Sequence, residues 1–206
     1  MSTTQGEAQG EAQETAEPEP APEAAPAAVF EKVGEEPIYQ GYVISLGIGT
    51  FVGPDGATFT RDVVHHPGAV SVVPLLDDGR VVLVRQYRPA LDAWLLEIPA
   101  GKRDVPGEPP EITAGRELAE EVGYIATHLE LVAQFHNSAG FSDELSLVYL
   151  GTGLRETAQD LQGVEEEHMT VELVPLSAVD DLIARAEITD AKTIIGLSLA
   201  QRRLGR

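Results

Sequence analysis

The sequence predicts one mixed α/β domain, layered as an α+β or α/β sandwich rather than as a regular βαβ repeat. Three observations predict it. Valine- and leucine-rich runs of strand length fill the first half of the chain, a single amphipathic helix interrupts them, and helices close the chain. With 206 residues, 43% of them hydrophobic, the chain can bury one substantial core and is too short for two comfortable domains.

In chain order, residues 1–29 hold six glutamates, four prolines and no lysine or arginine. A segment so poor in apolar side chains cannot offset its ordering entropy, so a disordered tail is expected there, with the folded domain spanning 30–206. Tyr39–Val52 reads as one extended segment ended by the turn Gly53-Pro54-Asp55-Gly56, with a second strand over Thr58–His65. Ala69–Leu76 and Arg80–Arg88 flank Asp77-Asp78-Gly79, a hairpin signal. Ala93–Pro99 is a short strand in which Trp94 is expected to fill the core. Pro109 and Pro110 precede a helix over Glu111–Val122, closed by Gly123. Strands follow at Leu129–Phe135, Leu145–Leu150 and Thr170–Pro175. Ser177 is placed to cap a helix reaching Ala186, and Asp190 to cap a last helix reaching Leu204.

Composition excludes several function classes. Fourteen basic against 34 acidic residues give a net charge of −20, a surface that repels nucleic acid polymers and anionic membranes. The absence of cysteine removes disulfides, zinc-thiolate sites and cysteine nucleophiles. The first residues do not read as a secretion signal, and the apolar runs are too short to cross a bilayer, so a cytoplasmic location is expected. If the substrate is itself an anion, metal cations must bridge it to the acidic residues.

The informative stretch runs from Gly101 through Glu108 to Arg116-Glu117-Leu118-Ala119-Glu120-Glu121-Val122-Gly123-Tyr124. Helical spacing crowds Glu117, Glu120 and Glu121 into one quadrant, where like charges repel. Hard divalent cations relieve such crowding, because magnesium prefers oxygen ligands and keeps waters that a phosphate can displace. Arg116 lies four residues before Glu120, in place to hold it, and Glu108 can pair with Arg116. Alone, a glutamate-rich helix with an arginine reads as a solvated face; the flanking residues decide otherwise.

The run resembles the Nudix box: a glycine, a glutamate, then Arg-Glu-apolar-x-Glu-Glu-x-Gly-apolar. Glu108, Arg116, Glu117, Glu120, Glu121 and Gly123 fall in register, with Leu118 and Tyr124 at the apolar places. One departure is the loop, since Gly101 precedes Glu108 by seven residues where the box has six. Glu97-Ile98-Pro99-Ala100-Gly101, Gly140-Phe141-Ser142-Asp143-Glu144 and the triplet Glu165-Glu166-Glu167 resemble the ADP-ribose pyrophosphatase branch, over about residues 40 to 200.

That resemblance implies a Nudix-type α/β/α sandwich with a mixed sheet, and a catalytic set of Glu166, Glu120 and Arg116. It implies Glu117, Glu120, Glu121 and the Ala100 carbonyl as ligands of Mg2+, with Mn2+ as a substitute. A glutamate before the last core strand handles the attacking water; all three of the triplet are in reach, and Glu166 is favoured. Gly101, Arg88 and Arg61 are the implied substrate contacts, Arg61 across the interface of a homodimer to which Tyr39–His65 contributes. The residues alone leave Arg88 open between a phosphate contact and an edge-strand arginine in water. The histidines, His65 and His66 included, share no ligand-like spacing and read as structural or exposed. The expected reaction is hydrolysis of a small nucleotide, ADP-ribose, to AMP and ribose 5-phosphate. Ala139 stands where the branch has a proline that would stiffen the loop, so another ADP-sugar, NADH, a dinucleoside polyphosphate or a nucleoside triphosphate stays open as substrate. A non-catalytic nucleotide-sensing domain is the remaining alternative.

Overall fold

The computed structural model describes residues 29–161 and 164–205, the side chain of Glu165 excepted. The tail read over 1–29 therefore lies, apart from Val29, outside the described residues.

Valines arranged at period two build the centre. Ala69–Pro74 (β4) runs parallel to Leu145–Glu156 (β9), and antiparallel neighbours Ala100–Lys102 (β7) and Tyr124–His136 (β8) complete a four-stranded mixed sheet in the order β7-β4-β9-β8. Arg80–Arg88 (β5) sits between Thr170–Pro175 (β10) and Ala93–Glu97 (β6) in an antiparallel sheet. Alternate side chains face opposite layers. Val70, Val72, Val82, Val84, Leu147 and Tyr149 pack against Ala114, Leu118 and Val122 of helix α1, Pro110–Val122. Val73, Val81, Leu83, Val148 and Leu150 face the other way, onto Val179 of α3 (Val179–Ala184) and Leu197 and Ala200 of α4 (Ala191–Arg203). Strands covered on both faces read as near-continuous apolar runs, as Val81–Val84 and, apart from the buried Ser71, Val70–Val73 do. The result is the expected α/β/α sandwich.

A third sheet stands on the N-terminal side. Glu31–Gln40 (β1) pairs antiparallel with Ser45–Val52 (β2), and β2 with Thr58–His65 (β3). The expected single segment Tyr39–Val52 is therefore two strands, parted where the Gly41 N–H donates to the Ile44 carbonyl at 2.8 Å. The N-terminal strands begin at Glu31, not near Tyr39. EKVGEEPIYQ has no apolar alternation because β1 is exposed along its whole length, with register shifts around Gly34 and Pro37.

Four further expectations are corrected. Asp77-Asp78-Gly79 makes a tight turn, Gly79 N–H to Leu76 carbonyl at 2.9 Å, but beyond a Leu75–Val81 bridge the flanking strands enter different sheets rather than a hairpin. Trp94 is 49% exposed and leans on Tyr87, ring centroids 5.8 Å apart; it shares a face of β6 with Leu96, and of the two only Leu96 reaches the core. Ser177 caps nothing: Leu176–Ala178 is a 3₁₀ turn and α3 starts after Ala178, ending at Ala184. β8 and β9 extend past the predicted runs, to Tyr124 and Glu156, because their long antiparallel pairing continues on half-exposed residues. Asp190 does cap α4, accepting from the Thr193 N–H at 2.9 Å. Among the described residues no helix is long and apolar enough to cross a membrane.

Candidate active site

Helix α1 delivers the acidic residues. Pro110 stands in its first turn, where a missing N–H costs nothing. Leu118 and Val122 bury one stripe, which leaves Glu117 and Glu121 against β7 and Glu120 beside Arg116. Gly123 ends the helix in the left-handed region, φ 70°, its N–H reaching the Ala119 and Leu118 carbonyls. A Cβ there would also lie 2.9 Å from the Thr157 carbonyl oxygen. Residues 157–160, which sequence reasoning missed, hold this end of the helix. Gln159 Nε2 donates to the Glu121 carbonyl at 2.6 Å and the Asp160 N–H to the Glu120 carbonyl at 3.1 Å.

The predicted ligands come together with Ala100 and Gly101. The Ala100 N–H donates to Glu121 Oε2 at 3.0 Å. A Cβ on Gly101 would lie 1.8 Å from the Glu117 carboxyl carbon, so only glycine lets that carboxylate lie against the strand. These contacts form although the loop from Gly101 to Glu108 is one residue longer than the box, and Gly107 within it adopts φ 78°. Arg116 Nη1 lies 3.0 Å from Glu117 and 2.9 Å from Glu120, and Nη2 lies 3.4 Å from Glu108. All these charges bring the Arg116 guanidinium above its ordinary value, although burial opposes it.

The electrostatics are lopsided. Burial above all, then the Glu120 and Glu166 charges, lift Glu117 to about 7 against the pull of Arg116. Burial also lifts Glu121 to about 8; Glu117 and Glu166 add to it, and the Ala100 N–H opposes it. Glu166, in the short helix α2 (Val164–Glu167), thus acts on both carboxylates. Glu167 is exposed, and the Glu165 side chain is outside the described residues. Among the described residues no three acidic or imidazole groups form a ready-made cage, since Arg116 draws Glu117 and Glu120 to itself. The donor set nevertheless fits a hard divalent cation. The Glu120 and Glu166 charges raise Glu117, the Glu117 and Glu166 charges raise Glu121, both raised carboxyls are largely desolvated, and the one guanidinium beside them does not offset this.

Beside this acidic lobe lies a balanced one. Glu97, 1% exposed, accepts from Arg88 Nε at 2.8 Å and Nη2 at 2.7 Å, and also from Lys192 Nζ. Burial would raise this carboxyl, but the Arg88 hydrogen bonds and the Lys192 charge hold it below its ordinary value. Lys192 and Thr193 were not singled out in the sequence, although they follow the legible cap at Asp190. Arg88 is therefore neither a free edge-strand arginine nor a bare phosphate contact. Arg61 stands apart, over the Phe59 ring at 4.9 Å, in a cavity of about 510 Å³ lined also by Phe51, Ala139 and Phe141. His65 is more than an isolated histidine, for Asp143 lies at 2.5 Å and Glu35 at 2.7 Å, tying β3 to β1 and to the 137–144 loop.

In this mixed sandwich helices α1 and α2 supply the crowded carboxylates, while the paired cations come from strand β5 (Arg88) and helix α4 (Lys192). The NUDIX domain profile matches residues 65–195, and the chain belongs to the Nudix family. The ADP-ribose pyrophosphatase of Mycobacterium tuberculosis is 39% identical over 82% of this chain and 81% of its own. A methanol dehydrogenase activator of Bacillus methanolicus is 38% identical over 81% of this chain and 89% of its own. A crystal structure of an ADP compounds hydrolase shares the fold, with a TM-score of 0.74 at 21% identity, covering 89% of this chain and 97% of that one.

Proposed function

We propose that the chain hydrolyses the diphosphate of ADP-ribose to AMP and ribose 5-phosphate, with magnesium held by Glu117, Glu120, Glu121 and the Ala100 carbonyl. The supporting observation is the crowding of buried carboxylates, Glu120 and Glu166 on Glu117 and Glu117 and Glu166 on Glu121, together with the similarity to an ADP-ribose pyrophosphatase. Bound magnesium supplies positive charge against the diphosphate and acidifies water. Water attacks one phosphorus in line, the bridging P–O bond breaks, and the departing phosphate stays on its own sugar. Glu166 is assigned the proton of that water. Arg116 fixes Glu120 through the short Nη1 contact, Gly101 leaves room for Glu117, and the exposed edge of Arg88 receives a phosphate oxygen. Arg61 belongs to the substrate contacts in a homodimer, where its cavity would face a second copy. Manganese is expected to replace magnesium.

The test is product analysis with magnesium against ADP-ribose, ADP-glucose, NADH, diadenosine polyphosphates and nucleoside triphosphates. AMP and ribose 5-phosphate, abolished by chelation, support the reading; sparing of ADP-ribose while another substrate is cut moves the assignment to that substrate. A second reading, regulation of a partner enzyme, is favoured by the name of the Bacillus methanolicus relative. Tight ADP-ribose binding without turnover selects it.

A further inference from the structure

Two cations converge on one buried carboxylate, and they differ in access. The Glu97 side chain is 1% exposed and that of Lys192 14%, whereas Arg88 keeps 36%. Glu97 takes the Nε and Nη2 prongs of Arg88, which leaves the Nη1 protons of the guanidinium outside that fork. Lys192 approaches Oε2 of the same carboxylate from α4, and its ammonium lies 3.0 Å from Asp190 Oδ2. Asp190 is itself fixed, accepting from the N–H and hydroxyl of Thr193 at 2.9 and 2.6 Å. Thr193 Oγ1 in turn accepts from the Ile98 N–H at 3.0 Å, so α4 grips the strand end that leads to Ala100.

One cation suffices to keep a buried carboxylate ionised; a lone partner, however, cannot be drawn away without leaving that charge bare, which is expensive. We propose that Lys192 is a positioning residue: by neutralising Glu97 from the buried side, it frees the Arg88 guanidinium to share its outer edge with a substrate phosphate. The assignment rests on the reading of the chain as a diphosphate hydrolase. Without Lys192, Arg88 is the sole counterion of Glu97 and is held back from the phosphate. The loss therefore falls on substrate affinity more than on the chemical step.

The experiment is a coupling cycle of K192M, R88A and the double variant, with K192R as the conservative control and thermal unfolding beside each. For ADP-ribose with magnesium, K192M is expected to raise KM about tenfold with kcat within about threefold, and K192R to stay near wild type. In the R88A background K192M is expected to add less than about twofold, because its effect runs through Arg88. Effects that multiply in the double variant, or a lowered Tm with KM unchanged, overturn the assignment. Should K192M, or the double variant that strips Glu97 of both cations, not fold, K192Q, which keeps a donor for Glu97, is read in its place alone and with R88A. If wild type leaves ADP-ribose intact, the functional reading fails by itself. The cycle is then read in the Kd for magnesium pyrophosphate, where the same coupling sustains the Lys192 assignment, and its absence, or no wild-type binding, overturns it.

Discussion

Glu97 and Glu121 are almost equally buried, at 1% and 3% exposure, yet burial has opposite outcomes for them. Glu97 is held below its ordinary value, because Arg88 and Lys192 more than repay its desolvation. Glu121 is pushed up to about 8, because its burial, with the Glu117 and Glu166 charges added, outweighs the Ala100 N–H and the more distant pull of Arg88. Three residues of one short connection, Ile98 to Ala100, separate a site complete in itself from one that requires charge from outside. The difference teaches that burial alone does not set the charge of a carboxylate; the charges within reach of it do.

The largest expected effect lies on the uncompensated side. E121Q keeps the shape of the side chain and removes the charge, so turnover is expected to fall on the order of 10³-fold with the fold intact, read by steady-state kinetics and circular dichroism. Near-normal turnover in a folded E121Q protein would break the contrast. Next comes G101A, whose new Cβ displaces the Glu117 carboxylate. Activity is expected to fall roughly 10–100-fold, as when a metal ligand loses its orientation, with little change in Tm.

On the compensated side the expected damage is to stability. E97Q leaves Arg88 and Lys192 without their common counterion, and unfolding in urea should show a loss of about 3 kcal/mol near neutral pH. A carboxyl held below its ordinary value of 4.5 contributes stability that is present above 4.5 and lost as pH falls through its folded value. The gap between E97Q and wild type should therefore close in acid. A gap that stays constant would remove the charge argument. The smallest effect is expected at His65, whose exposed imidazole is raised above 6.5 by the Asp143 hydrogen bond first and then by Glu35. Its stabilisation is complete below 6.5 and fades as pH rises through the raised value. H65Q should thus melt slightly below wild type at about pH 6 and together with it at about pH 9.

Much of the site was legible because it is local. Glu117, Glu120, Glu121 and Arg116 sit within two turns of one helix, and Gly123 ends that helix in the expected conformation. The central strands were legible because burial on both faces writes apolar-rich runs, broken in β4 only by the small Ser71. What escaped depends on contacts distant in sequence. Lys192 reaches Glu97 across 95 positions and Asp143 reaches His65 across 78, so no spacing rule could join them. β1 escaped because an exposed strand needs no apolar pattern, and Trp94 lies outside the core because the buried layer reaches only Leu96 on its face of β6.

The most direct test of the contrast is calorimetric titration of magnesium into wild type, E121Q and E97Q. The account predicts measurable binding to wild type, loss of that binding in E121Q, and affinity within about threefold of wild type in folded E97Q, since distant or separately satisfied sites act independently. Magnesium bound by E121Q as well as by wild type, or lost in E97Q instead, would contradict it.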